Sequence, residues 1–122
     1  MNKHNADILI VSRSMVLQQA LGALLESLPG IASVKAIRNL SSTYAWIAEH
    51  NPGIVLLDAS LLRNRAEEAL NEIRTRSPET QRVLLVNDVH EVNLVPQFAE
   101  AIVIKGISPS ALTVIMTNLL SE

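Results

Sequence analysis

Six polar residues stand directly after aliphatic runs. They are Ser12 and Arg13 after Ile8-Leu9-Ile10-Val11, Asp58 after Ile54-Val55-Leu56-Leu57, Asn87 and Asp88 after Val83-Leu84-Leu85-Val86, and Lys105 after Ala101-Ile102-Val103-Ile104. A carboxylate such as Asp58 serves as a nucleophile, as a ligand for a hard cation or as the partner of an ammonium. Lys105 supplies an ammonium, Arg13 a guanidinium that cannot be deprotonated, and Ser12 and Asn87 short hydrogen-bonding groups. Other chemistries drop out. The chain has no cysteine, which removes thiolate catalysis, disulfides and cysteine metal sites. His4, His50 and His90 lack ligand spacing, so no histidine metal centre is expected. With Tyr44, Trp46 and Phe98 as the only aromatics, neither a base-stacking platform nor an aromatic cage can be built.

Residues at strand ends act together only if the strands lie side by side. Four of the aliphatic runs are continuous, as strands must be when helices cover both faces of a parallel sheet, and a further run, Val34-Lys35-Ala36-Ile37, alternates as an edge strand does. Helix-length segments separate the runs. Residues 15–28 carry Leu17, Leu21, Leu24, Leu25 and Leu28 on one stripe, with Ser14 as an N-cap and Pro29-Gly30 as the stop. A second helix is expected from a Ser41 or Ser42 cap to His50, ended by Asn51-Pro52-Gly53, and a third over 65–76, ended by Ser77-Pro78. Ser108-Pro109 opens the last helix, with Leu112, Ile115, Met116 and Leu119 as its stripe. Between residues 88 and 100, Pro96 interrupts Val92, Leu94, Val95 and Phe98, so a fourth helix there is short or broken. The expected architecture is a flavodoxin-like (βα)5 α/β fold, a doubly wound parallel sheet of strand order 2-1-3-4-5 in a single domain, 1–122. Its functional crevice lies at the carboxyl ends of the strands.

Composition agrees with a single globular domain. The 122 residues are 48% hydrophobic and 18% charged, with 12 acids against 10 bases and a formal charge of −2. That balance gives no support for a nucleic-acid or membrane partner. The polar start, Met1 to Asp7, leads into only a short apolar run, too short for a secretion signal or a membrane span, so a cytoplasmic protein is expected.

Asp58 in Ile-Val-Leu-Leu-Asp and Lys105 in Ile-Val-Ile-Lys-Gly give the chain a resemblance, over nearly its whole length, to the CheY-like receiver domain of bacterial response regulators. Gln19-Ala20-Leu21-Gly22-Ala23-Leu24-Leu25 and Lys105-Gly106-Ile107-Ser108-Pro109-Ser110-Ala111-Leu112 make it most similar to the LuxR-type (NarL-like) subgroup. The resemblance implies that Asp58 holds the phosphoacceptor position and that Lys105 contacts the phosphoryl group. A histidine kinase is then the implied phosphodonor, and surfaces near the last helix are used for dimers or partners.

The sequence departs from that family at the residues that run its chemistry. Ser12-Arg13 replaces an acidic pair that holds Mg²⁺, and a single carboxylate is a poor set for an ion that must also neutralise an incoming phosphoryl group. Arg13 places a fixed positive charge in or beside the ion's position. At 4 Å and an effective dielectric of 20, opposite charges attract by about 4 kcal/mol before desolvation costs. The expected site is therefore an Asp58–Arg13 or Asp58–Lys105 pair, with Mg²⁺ binding weak or absent and no other cofactor. Asn87 replaces the family's hydroxyl residue after the fourth strand, and Ile102 its frequent aromatic in the fifth.

Plainer roles compete for several of these residues. Asp58 also suits a cap on the turn that follows it, Lys105 a purely structural counter-charge, and Arg13 a solvated position. Arg63, Arg65, Arg74, Arg76 and Arg82 read as a solvated basic edge relieving Glu67, Glu68 and Glu72. His50 suits the end of its own helix. Leu112, Val114, Ile115, Met116, Leu119 and Leu120 leave the last helix with apolar surface beyond one stripe, which suits either a buried helix or an interface. The functional expectation is a non-catalytic receiver-like module that works through a protein partner or homodimer without Mg²⁺-dependent phosphorylation. The alternatives are a conventional receiver phosphorylated on Asp58 and a small flavodoxin-like protein binding a phosphate-bearing ligand at Ser12-Arg13-Ser14.

Overall fold

The computed structural model describes residues 6–88 and 99–121. Five parallel strands form one sheet of order β2-β1-β3-β4-β5, the order expected from the sequence. They are β1 (Ala6–Val11), β2 (Ile31–Ile37), β3 (Ile54–Asp58), β4 (Gln81–Val86) and β5 (Ala101–Ile104). Each aliphatic run became a strand, and β1, β2 and β4 extend two or three residues beyond it at their amino ends. The crossover segments form α1 (Met15–Glu26), α2 (Leu40–His50), α3 (Ala59–Leu62), α4 (Ala66–Arg76) and α5 (Pro109–Leu120). The short or broken fourth helix expected around Pro96 falls largely at 89–98 and lies outside the described residues, as do His4, His90 and Phe98.

Alternation along the central strands explains why both faces are apolar. Leu9, Val11, Val55, Leu57, Leu84 and Val86 point to the layer of α2, α3 and α4, where Ile47, Leu62, Leu70 and Ile73 complete one core. Ile8, Ile10, Ile54, Leu56, Val83, Leu85 and Val103 point the other way, onto Leu25 of α1 and Leu112, Met116 and Leu119 of α5. The edge strand β2 is half exposed, so Lys35 reaches solvent. Gly53 is required where the chain enters β3, because a Cβ there would meet that of Ala6 at 3.0 Å.

The helix boundaries correct several expectations. Asn39, rather than Ser41 or Ser42, caps α2: its side chain accepts the Ser42 N–H at 2.8 Å from an extended backbone, and Leu40 is already helical. Ser14 and Ser108 cap α1 and α5 as their sequences require. α1 ends at Glu26, and Leu28 closes a further turn onto Leu25 O. The four-residue α3 was not anticipated; it exists because Asp58 accepts the Ser60 N–H at 2.9 Å and folds the chain at the end of β3. His50 occupies the last turn of α2, with Nδ1 2.9 Å from Trp46 O and its ring stacked on the indole.

The apolar surplus of α5 is mostly consumed by packing. Leu112, Met116 and Leu119 are buried, Ile115 and Leu120 pack against the same core, and Val114 alone among its large apolar residues is exposed, at 59%. The basic edge also needs correction. Arg65 and Arg76 pair with Glu68 and Glu72 in solvent, but Arg82 is buried within β4.

Candidate functional site

The carboxyl ends of β1, β3, β4 and β5 converge because the strands are paired in register, with Val11 beside Leu57, Asp58 beside Leu85 and Val86 beside Ile104. Lys105 continues that register, its N–H donating to Val86 O at 2.9 Å. On the other side, the Ser12 N–H donates to Ile37 O at 3.1 Å, which fixes the residue after β1 as firmly as the strand itself.

Asp58 is the centre of this edge. It is 4% exposed, and three donors converge on its two oxygens. Lys105 Nζ lies 2.5 Å from Oδ1, the Ser60 N–H reaches the same oxygen at 2.9 Å, and the Ser12 hydroxyl donates to Oδ2 at 2.7 Å. Burial pushes this carboxyl up, but the hydrogen bonds from Lys105, Ser12 and Ser60, with the lysine's charge, outweigh it and hold Asp58 below the ordinary carboxylate value.

A second tier fixes the donors. Ser12 is fully buried; its hydroxyl also accepts the Ser14 N–H at 3.0 Å, and its carbonyl accepts Gln18 Nε2 from α1 at 2.6 Å. Lys105 Nζ donates to Ser60 Oγ at 2.9 Å, and Asn87 Nδ2 reaches the same oxygen at 3.3 Å. A cleft of about 360 Å³ opens over the group, lined by Arg13, Ser14, Asp58, Ser60, Leu61 and Lys105.

Three of the residues singled out in the sequence, Asp58, Lys105 and Ser12, are thus in direct contact. Asn87 joins them through Ser60, and Asp88 stands exposed at the bend beyond β4. Of the two pairings expected for Asp58, the structure has the lysine. Arg13 lines the cleft, but its side chain is exposed and makes no ion pair among the described residues; its carbonyl accepts Arg38 Nη2 at 3.4 Å. Ser60 and Gln18 escaped the sequence reading. Ser60 had a signal, since a residue two past an aspartate is where an Asx turn closes; Gln18 had none.

These residues do not fit a divalent metal. Among the described residues Asp58 is the sole carboxylate lining the cleft, and its oxygens are engaged by an ammonium, a hydroxyl and an amide. Mg²⁺ is held by one or two carboxylates with waters and phosphate oxygens, and here the groups beside the engaged Asp58 are a neutral hydroxyl, Ser12, and a cationic residue, Arg13. No cluster of three or more His, Asp or Glu able to hold a metal occurs among the described residues.

No protein-family model matches the chain. Over 82 residues, 67% of its length, it is 32% identical to a protein-glutamate methylesterase/protein-glutamine glutaminase of Oleidesulfovibrio alaskensis, and the match spans 22% of that protein. A LuxR-family two-component response regulator from Aurantimonas sp. SI85-9A1 superposes with a TM-score of 0.81 at 22% identity, covering 96% of this chain and 86% of that one. The signal receiver domain of an HD domain-containing protein from Pseudomonas fluorescens Pf-5 superposes with a TM-score of 0.86 at 21% identity, covering 99% and 90%. In its strand order, its layers and these likenesses, the chain has the fold of response regulator receiver domains.

Proposed function

We propose that the chain is an atypical receiver module of two-component signalling, closest to the LuxR type, that acts in the cytoplasm by binding a protein partner or a second copy of itself. In this reading it is not an enzyme and does not run the Mg²⁺-dependent phosphorylation switch. The observation that carries the proposal is the closed Asp58 carboxylate, held by Lys105, Ser12 and the Ser60 N–H in a cleft whose remaining charged residue, among those described, is Arg13. Transfer of a phosphoryl group to Asp58 would have to displace a donor from the attacking oxygen and would bring anion against anion without a metal to neutralise them. The fold likeness supports the signalling context, in which histidine kinases and effector domains are the natural partners. No helix among the described residues is long and apolar enough to cross a membrane.

The test is incubation with acetyl phosphate and Mg²⁺ followed by intact mass under conditions that preserve acyl phosphates. The wild-type chain is expected to remain unmodified, and stoichiometric phosphate on Asp58 would restore the conventional receiver reading. A Ser12→Asp/Arg13→Asp double variant, which rebuilds the acidic pair, is expected to gain phosphorylation under the same conditions.

A further inference from the structure

The strand at the open edge of the sheet reads almost the same in both directions. β2 runs Ile31-Ala32-Ser33-Val34-Lys35-Ala36-Ile37, so isoleucine answers isoleucine and alanine answers alanine about Val34, with only Ser33 and Lys35 unlike. Among the described residues its one neighbour in the sheet is β1. The Ile37 carbonyl accepts the Ser12 N–H at 3.1 Å. In a parallel ladder alternate residues turn both backbone groups to the same side, so Lys35 and Ser33 also face β1, while Val34 and Ala36 point theirs out of the sheet. Ala32, Ser33, Lys35 and Ala36 are exposed. A cleft of about 480 Å³ runs beside this edge, with Val34 and Ala36 on one side and Met15, Gly22 and Ala23 of α1 on the other. Unpaired edge groups beside apolar surface are a template for another strand.

We infer that this edge pairs with its own counterpart in a second copy of the chain, antiparallel and two-fold symmetric about Val34. In that register Val34 meets Val34 and exchanges both backbone hydrogen bonds, Ala36 meets Ala32, and Ser33 meets Lys35. Charge selects the register. Centring the pair on Lys35 instead would set two ammonium groups directly opposite. Centring it on Val34 lays each Lys35 across Ser33 of the other copy, whose hydroxyl donates at 2.7 Å to Oδ1 of Asp7, its neighbour on β1. Strands lie about 4.8 Å apart, so Asp7 and the second copy's Lys35 stand two strand spacings apart on one face, a gap that two extended side chains close over a serine. Within the chain neither residue has an ion pair among the described residues. The symmetry makes two such pairs, one on each side of the axis. At Ala32 the register of β2 against Ala6 and Asp7 shifts by one residue, which ends the regular ladder and keeps it short. The inference rests on the reading of the chain as a docking module, for which it names one surface and one occupant, and draws nothing from the chemistry at Asp58.

The experiment is sedimentation velocity of the full chain over a rising concentration series, with Asp7→Lys and Lys35→Asp variants run alone and mixed. The wild type is expected to pass from monomer to dimer. Each variant alone should dimerise about tenfold more weakly, because two attractive cross-strand pairs become repulsive. An equimolar mixture of the two should recover the wild-type dimer, because both pairs are attractive again; a folding defect in either variant would not be repaired by mixing. Amide hydrogen exchange in the same samples should slow at Val34 and Ala36 as the dimer forms and stay constant at Lys35, whose N–H already faces β1. Val114→Glu, on the exposed side of α5, should change nothing. A chain that stays monomeric throughout, variants that mixing does not restore, or a dimer weakened by Val114→Glu would overturn the inference and leave the proposed function standing with another partner. Phosphate on Asp58 would overturn the proposed function and leave this dimer in place.

Discussion

At Asp58 one lysine, one serine hydroxyl and one amide share two oxygens, and the consequence is a carboxyl that stays ionised to lower pH than usual. The sign of its effect on stability follows. A group whose folded value lies below its unfolded value near 3.8 contributes in full above that pH, and the contribution is lost as pH falls through the folded value. Lys105→Met removes the strongest opposing donor and leaves burial to act. The Asp58 carboxyl is then expected to titrate at higher pH than in the wild type, read by carbon NMR of its side chain. The variant should also lose about 1–3 kcal/mol of stability at neutral pH, the cost of leaving a buried charged group short of a partner. An unmoved titration would mean that the lysine is not what holds the carboxyl. Much of this was legible in the sequence, because polar residues ending aliphatic runs must meet at one edge of a parallel sheet. What could not be read was which cation would win. Arg13 and Lys105 are equal candidates by position, and the difference comes from register: Lys105 extends β5 beside β4, whereas the side chain of Arg13, one residue past Ser12, leaves for solvent.

Between elements, the least expected interaction ties β4 to the start of β5. Arg82 is 3% exposed, and its Nε and Nη2 grip Glu100 at 3.1 and 2.8 Å while Nη1 donates to Leu70 O of α4 at 3.0 Å. The Arg82 N–H also donates to Glu100 Oε1 at 2.6 Å, and the Glu100 N–H returns a bond to Arg82 O at 2.8 Å. This clamp sets where β5 begins, and therefore where Lys105 ends. Arg82→Ala is expected to cost about 1–3 kcal/mol in urea denaturation, less than a wholly buried pair because Glu100 reaches solvent. It should also shift the amide resonances of Lys105. A variant within experimental error of wild type would reduce the clamp to decoration. The sequence concealed this role, since one more arginine near Arg74 and Arg76 looks like part of a basic surface. Burial on a central strand is a tertiary fact. Helix caps show the opposite case: Ser14 and Ser108-Pro109 were legible because a cap is a local hydrogen bond, while at α2 the expected Ser41 or Ser42 gave way to Asn39, whose extended backbone stands one residue before the first helical one.

Over the whole molecule, periodicity carried the architecture. Continuous aliphatic runs separated by helices admit few folds other than a doubly wound sheet, and the observed strand order places Asp58 beside the crevice between β1 and β3. The same sheet makes the site a reporter on global stability, because a ligand that binds only the folded chain raises its unfolding free energy. At one hundred times its dissociation constant the gain is about 2.7 kcal/mol, a large fraction of a small domain's stability. Magnesium is the ligand that decides the matter. The direct measurement is the urea midpoint of the wild-type chain across a Mg²⁺ series, against a sodium chloride series of matched ionic strength. With Asp58 committed to Lys105 and Ser12, the two series should coincide, and only the Ser12→Asp/Arg13→Asp variant should show a saturable rise with Mg²⁺. A saturable rise in the wild-type chain, abolished by Asp58→Asn, would contradict the account.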